Sequence, residues 1–122
     1  MTSYLILALQ VVVALGLLNV WLLRPMKATR FRGGQAQTLK EEFAAYGLPE
    51  FAFYLVGALK ILCALLLIGG IWLSYVVQPA ALLVLILMLG ALAMHIKVKD
   101  PILKSLPAFS MLAMSLALIL ML

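Results

Sequence analysis

One lysine stands alone in a long apolar stretch. From Phe51 to Ile96, Lys60 is the only charged residue. A lysine at bilayer depth costs roughly 2.5–3.5 kcal/mol on insertion scales, so it must face a protein interior or water and have a partner. Three chemistries suit an ammonium so placed: anchoring a ligand, carrying a proton, or covering an anionic head group. The plainer reading is a lysine bonded to a carbonyl and tolerated because its neighbours are very apolar. Its helical face runs Gly57, Lys60, Cys63, Ala64, Leu67. Small residues at Gly57 and Ala64 admit a second helix, so this face is expected to point inward.

Candidate partners follow from depth. No acidic residue lies within an apolar stretch, so Lys60 has no obvious counter-ion. Ser110 lies near the same level, Asn19 and Tyr54 are shallower, and Gln10 lies towards the opposite side. Cys63 sits one turn from Lys60. It is the only cysteine, so disulfides and thiolate metal cages are excluded within the chain, and apolar burial favours the unreactive thiol. His95 falls at the end of an apolar run, near Lys97, as an interfacial candidate with no carboxylate evident beside it. A single histidine builds no zinc site, and methionines in an apolar chain are packing before they are haem ligands. Phosphate-binding glycine loops, nucleophile elbows and the H-E-x-x-H pattern are absent. The expectations are no catalytic residues, no metal and no cofactor, with a quinone or a lipid the ligand types left open.

The elements that must position these residues are apolar helices. Of 122 residues, 67% are hydrophobic and 11% charged. A soluble domain is nearer half and a quarter. Tyr4–Leu23 carries no charge and at 1.5 Å per residue is ~30 Å long, the thickness of a hydrocarbon core. It has no basic residue before it and no small-residue cleavage pattern after it, so it reads as a retained span rather than a signal peptide. Gly69-Gly70 and Ser74–Pro79 are turn signals that divide the next stretch into spans at about 51–73 and 79–96. Lys97–Pro101 is a polar turn, and a fourth span follows at about 102–122, with Lys104 able to snorkel and Pro107 inside it. The fold expected is all-α, a single domain over 1–122, with four transmembrane helices in a bundle.

Between the first two spans, Thr38-Leu39-Lys40-Glu41 fits a capping box. Leu39, Phe43 and Tyr46 share one face, with Lys40, Glu41 and Glu42 placed elsewhere. Gly47 suits a left-handed stop and Leu48 can fold back on Phe43. A short amphipathic surface helix is expected at about 39–46, after a flexible basic stretch holding Arg24, Lys27, Arg30 and Arg32. Eight basic residues fall in the first and third loops and none in the N-terminal tail or the Ser74–Gln78 loop. Both termini are therefore expected outside the cytoplasm. Of the net charge of +5, all but the Lys60 charge belongs to these loops. Without aromatic interleaving it implies anionic lipid rather than nucleic acid.

Three segments in order carry a resemblance: Phe43–Pro49, then Gly57–Ala64, then Gly90–His95 with Lys99-Asp100-Pro101. Together they resemble the DoxX-like family of small bacterial membrane proteins. The resemblance implies a four-helix membrane protein of the bacterial inner membrane. The family takes its name from a small subunit linked to thiosulfate:quinone oxidoreductase, and relatives are associated with thiol stress and redox complexes. Where the family often has glutamate, this chain has Lys60, and the family's histidine position matches His95. The function expected is a non-catalytic ligand-binding or assembly subunit of a larger membrane complex or homo-oligomer. The alternatives are a quinone-linked or thiol-stress redox component, or a small oligomeric transporter.

Overall fold

The structure is a computed structural model that describes residues 2–23, 34, 36 and 38–122. The basic stretch at 24–32 lies outside the described residues. Helix α1 (Thr2–Leu18) runs into a π-helical turn at Asn19–Leu23. Helix α2 (Leu39–Ala45) is short. Helices α3 (Glu50–Gly69), α4 (Val77–Lys97) and α5 (Ile102–Met121) follow, with a 3-10 turn at Ser74–Val76 before α4. All are helical because long apolar runs in lipid must satisfy their backbone groups within the segment. Four of these helices are long and apolar enough to cross a membrane.

The long helices pack in ring order: α1 on α3, α3 on α4, α4 on α5, and α5 back on α1. At the centre Val13, Ala14, Leu17, Ala64, Leu67, Ala80, Ala81, Val84 and Leu118 are buried. Alanines at four of these positions let the backbones approach, which is how helices associate where lipid supplies no hydrophobic drive. Leu15, Leu65, Ile86 and Leu120 stand on the outside. Tyr4, Trp72 and Tyr75 are all at least 75% exposed at the end bearing the α3–α4 turn, as an aromatic belt would be.

That turn is longer than the sequence suggested. Helix α3 stops at Gly69 rather than Leu73, and α4 starts at Val77 rather than Pro79. The two ends nevertheless approach closely at Gly70, where any Cβ would collide with Val77 Cγ2. Pro79 lies in the first turn of α4, where its missing N–H costs nothing. The last carbonyls of α3 each find a donor. Gly70, Ile71 and Trp72 serve Leu66, Ile68 and Gly69, and Gln10 Nε2 donates to the remaining Leu67 oxygen at 3.1 Å. Gln10 is therefore a buried clamp at the far end from Lys60.

Helix α2 forms as its capping residues require. The Thr38 hydroxyl accepts from Glu41 N–H at 3.1 Å. Gly47 adopts φ 78°, Leu48 N–H donates to Phe43 O and Gly47 N–H to Ala44 O. That pair of bonds is a Schellman stop, and Leu48 packs on the Trp21–Phe43 cluster beside it. Phe43 and Tyr46 are buried, which fixes which face of α2 meets the long helices.

Candidate functional site

Helix α2 lies at the loop end of the ring, and beneath it is a cavity of about 440 Å³. Its apolar walls are Leu17, Val20, Met88, Ala91, Ala108, Met111 and Met114. Its polar groups are Asn19, Glu42, Lys60, His95, Lys104 and Ser110, drawn from every helix. Lys60 lies ten residues into α3, ~15 Å from its start by helix rise. Helical side chains lean towards the N-terminus, so its ammonium is carried back towards the loop end. There its Nζ stands 5.5 Å from the Trp21 ring centroid, a cation–π contact. The π-helical turn brings the consecutive residues Asn19, Val20 and Trp21 to the cavity. The Trp21 ring also packs against Gly57, whose absent side chain makes the space.

Glu42, which lies outside the spans, brings an acidic group to the same cavity as Lys60. It is 8% exposed, lines the cavity and acts electrostatically on Lys60. The Tyr46 hydroxyl donates to its Oε1. The sequence reading had placed Glu42 off the buried face of α2. It falls four residues before Tyr46 and one before Phe43, within the same stripe, and that spacing was the available signal.

His95 corrects an expectation, since a carboxylate does lie beside it. Helix α4 ends with Asp100 N–H donating to His95 O and Lys99 N–H to Ile96 O, a second Schellman stop. In such a stop the residue after the left-handed position folds back over the last helical turn. Here that residue is Asp100, and its Oδ2 lies 2.7 Å from His95 Nδ1. The left-handed position is occupied by Lys99 at φ 58°, a strained conformation for a non-glycine residue. Asp100 Oδ1 accepts the Gly34 N–H at 2.9 Å, and Lys104 Nζ lies 3.8 Å from that oxygen. Lys104 also donates to the Gly34 carbonyl at 2.6 Å, so it is engaged in protein rather than snorkelling freely. Lys97 donates to the Tyr46 carbonyl at 2.8 Å. These bonds pin both flanks of α2 to the α4–α5 turn.

Burial alone raises the Asp100 carboxyl. The His95 and Gly34 hydrogen bonds and the Lys104 charge outweigh it and hold the group below its ordinary 3.8. A carboxylate held low in the folded state stabilises that state above its ordinary value, and the contribution is lost as pH falls through the folded value. Acidification below about pH 4 is therefore expected to lower the thermal midpoint of the wild type and to lower that of Asp100→Asn less. Equal losses in both chains would show that Asp100 is not the group titrating.

Of the residues picked from sequence, Lys60, Asn19, Ser110 and His95 share the cavity wall. Cys63 does not line it. It is fully buried one turn along α3 with Lys60 acting on it electrostatically. Tyr54 is exposed on the outside of α3, with Lys40 Nζ 5.8 Å from its ring centroid. Trp21, Glu42 and Asp100 belong to the site and were not singled out. Among the described residues there is no cluster of three or more His, Cys, Asp or Glu side chains able to hold a metal.

Four membrane-length helices, with a cavity among them that the short helix α2 also lines, define a multi-pass membrane protein. The model of the DoxX-like family matches residues 8–120, and the chain belongs to that family. The corresponding comparisons with curated proteins and with solved structures gave no match.

Proposed function

We propose that this protein is a non-catalytic ligand-binding subunit of the bacterial inner membrane, holding an amphiphile in the cavity beneath α2. The observation that carries the reading is the make-up of the chamber. Lys60, Glu42, Asn19, His95, Lys104 and Ser110 line it together with methionines, leucine and other apolar side chains. Pockets that hold small molecules combine an apolar wall with a few convergent polar groups. A head group would meet the polar groups and an apolar tail would run between Met88, Met111 and Met114. Methionine suits that wall because its flexible thioether adapts to varied shapes.

Native mass spectrometry of the protein released in mild detergent tests this. A stoichiometric small amphiphile is expected on the wild type and absent from Lys60→Met/Glu42→Gln, in which both charges are removed together so that the fold is kept. A wild type bare of any amphiphile, or equal retention by the double variant, would refute the proposal.

The reading includes orientation, with α2 and the α4–α5 turn in the cytoplasm and both termini outside. Its support is the clustering of basic residues in the first and third loops. In a Cys63→Ser background, Thr2→Cys is expected to react with an impermeant thiol reagent on intact cells and Gln35→Cys is not. The opposite pattern would invert the topology.

A further inference from the structure

The exposure of its lining residues shows where the chamber opens. On the loop side Glu42 and His95 are buried, and Lys104 is held by the Gly34 carbonyl. The lining residues of α3 and α4 are all buried or half-buried. Among the described residues, the lining side chains that are exposed are Val20 near the end of the first span and Pro107 and Ser110 of α5. All three lie within membrane-length segments, and Ser110 stands ~12 Å past the start of α5 by helix rise. A residue exposed at that depth faces acyl chains, so the mouth of the chamber opens on lipid and not on water.

The seam at this mouth is lightly closed. Of the neighbouring pairs in the ring, α1 and α5 pack together least. One flexible side chain seated on a glycine fills the gap: a Cβ at Gly16 would lie 3.2 Å from Met111 Cε and 3.3 Å from Met111 Sδ. Both residues line the chamber. Methionine turns about three bonds and has the calibre of one alkyl chain, so swinging it aside opens a slot one chain wide. Pro107 lies one turn away and supplies no N–H to the Leu103 carbonyl, so α5 lacks a rung of its ladder beside the mouth. At the α1–α3 seam, by contrast, the glycine is covered by the Trp21 ring, which Phe43 and Phe53 hold in place.

We propose that the chamber takes its occupant sideways from the bilayer, as a single-chain amphiphile that passes between α1 and α5 at the level of Val20 and Ser110 when Met111 swings off Gly16. The width of the slot excludes a lipid with two chains. A water-soluble molecule does not reach a mouth that faces acyl chains. Met111 and Ser110 thus govern how fast the occupant is exchanged. This inference rests on the ligand-binding reading above and adds to it the class of the ligand and its source.

The test uses the full chain in phosphatidylcholine nanodiscs, with an N-alkyl para-(trifluoromethyl)benzamide as an uncharged single-chain probe. Fluorine NMR separates probe in the chamber from probe in the bilayer of the same disc. Saturating the bilayer signal then reads how fast the two pools exchange. A saturable chamber signal is expected in the wild type. Met111→Ala removes the side chain over Gly16 and should raise both entry and release by at least about threefold, and Ser110→Phe fills the rim and should lower both by a similar factor. Ser110 is exposed, so its replacement leaves the core untouched, and either variant alone decides. Leu65→Phe adds bulk on the outer face of α3 and should exchange as the wild type does. A change in wall packing without a gate would alter the bound fraction, whereas a gate moves entry and release together. A chamber signal whose exchange is unaltered in either rim variant, or is slowed as much by Leu65→Phe, would overturn the lateral route and leave the cavity reading standing. Absence of a saturable chamber signal would overturn both.

Discussion

Lys60→Met is expected to lower stability by up to about 3 kcal/mol, and adding Glu42→Gln to the same chain is expected to recover most of that loss. Methionine matches the length of lysine and suits an apolar wall. The cost arises on the partner. With the ammonium gone, Glu42 loses one of the charges that act with it and keeps the Tyr46 hydroxyl. Removing one member of a buried ion pair costs about 3–5 kcal/mol, while neutralising both is often close to neutral; Lys60 is only partly buried, so its loss falls below that range. Glu42 can relieve part of the penalty by taking a proton, so the figure is an upper value. Thermal unfolding of the four chains of this double-mutant cycle gives the coupling directly. A Lys60→Met protein that melts at or above the wild type would show that α2 does not supply the counter-ion.

Gly57→Ala is the second large effect. A Cβ at this position would lie 2.6 Å from Trp21 Cζ3 and 2.8 Å from Cε3. The ring cannot tilt freely, because it packs edge-on against Phe43 and at 5.3 Å from Phe53. One methyl must therefore push Trp21 out of its place over Lys60. Overpacking of this kind costs about 1–3 kcal/mol. Loss of the cation–π contact should accompany it. With Trp72→Phe as background, the emission of Trp21 should shift as well as the melting temperature. Unchanged emission with an unchanged melt would mean that the Trp21–Gly57 contact is not formed. Gly69→Ala is the matched control, since a Cβ there meets nothing within 4 Å.

The two helix stops show what the sequence made legible and what it withheld. At α2 the left-handed residue is Gly47, and glycine announces the motif, so the stop and the fold-back of Leu48 were readable. At α4 the same backbone motif has Lys99 in the left-handed place, and nothing in Lys97–Pro101 distinguishes it from an ordinary polar turn. Asp100 therefore went unrecognised as the partner of His95. Depth was a sound guide within the long helices, because rise per residue is fixed, and it brought Lys60, Asn19 and Ser110 to one wall. It failed for Tyr54, whose level is near enough but whose direction around α3 faces outwards. Glu42 was missed for a different reason. An acidic side chain on a surface helix is assigned to water by default, and only the α2–α3 packing shows that this one is turned inward.

The clip at Gly34 has a consequence for how the protein is made. Gly34 is bound by Asp100 and Lys104, which follow it by 66 and 70 residues. The α2 segment leaves the ribosome early, and Lys97 at the end of α4 reaches its Tyr46 flank first, whereas the Gly34 flank is fastened only when Asp100 and Lys104 arrive. Until then the chamber lacks its Gly34 fastening and its α5 wall, and Lys60 has Trp21 and Glu42 beside it but no α5 to enclose it. The chain thus passes through an insertion intermediate in which its costliest residue is least protected. Completion of α5 is the event that closes the chamber, and a chain arrested before Lys104 would present an unfinished surface to membrane quality control.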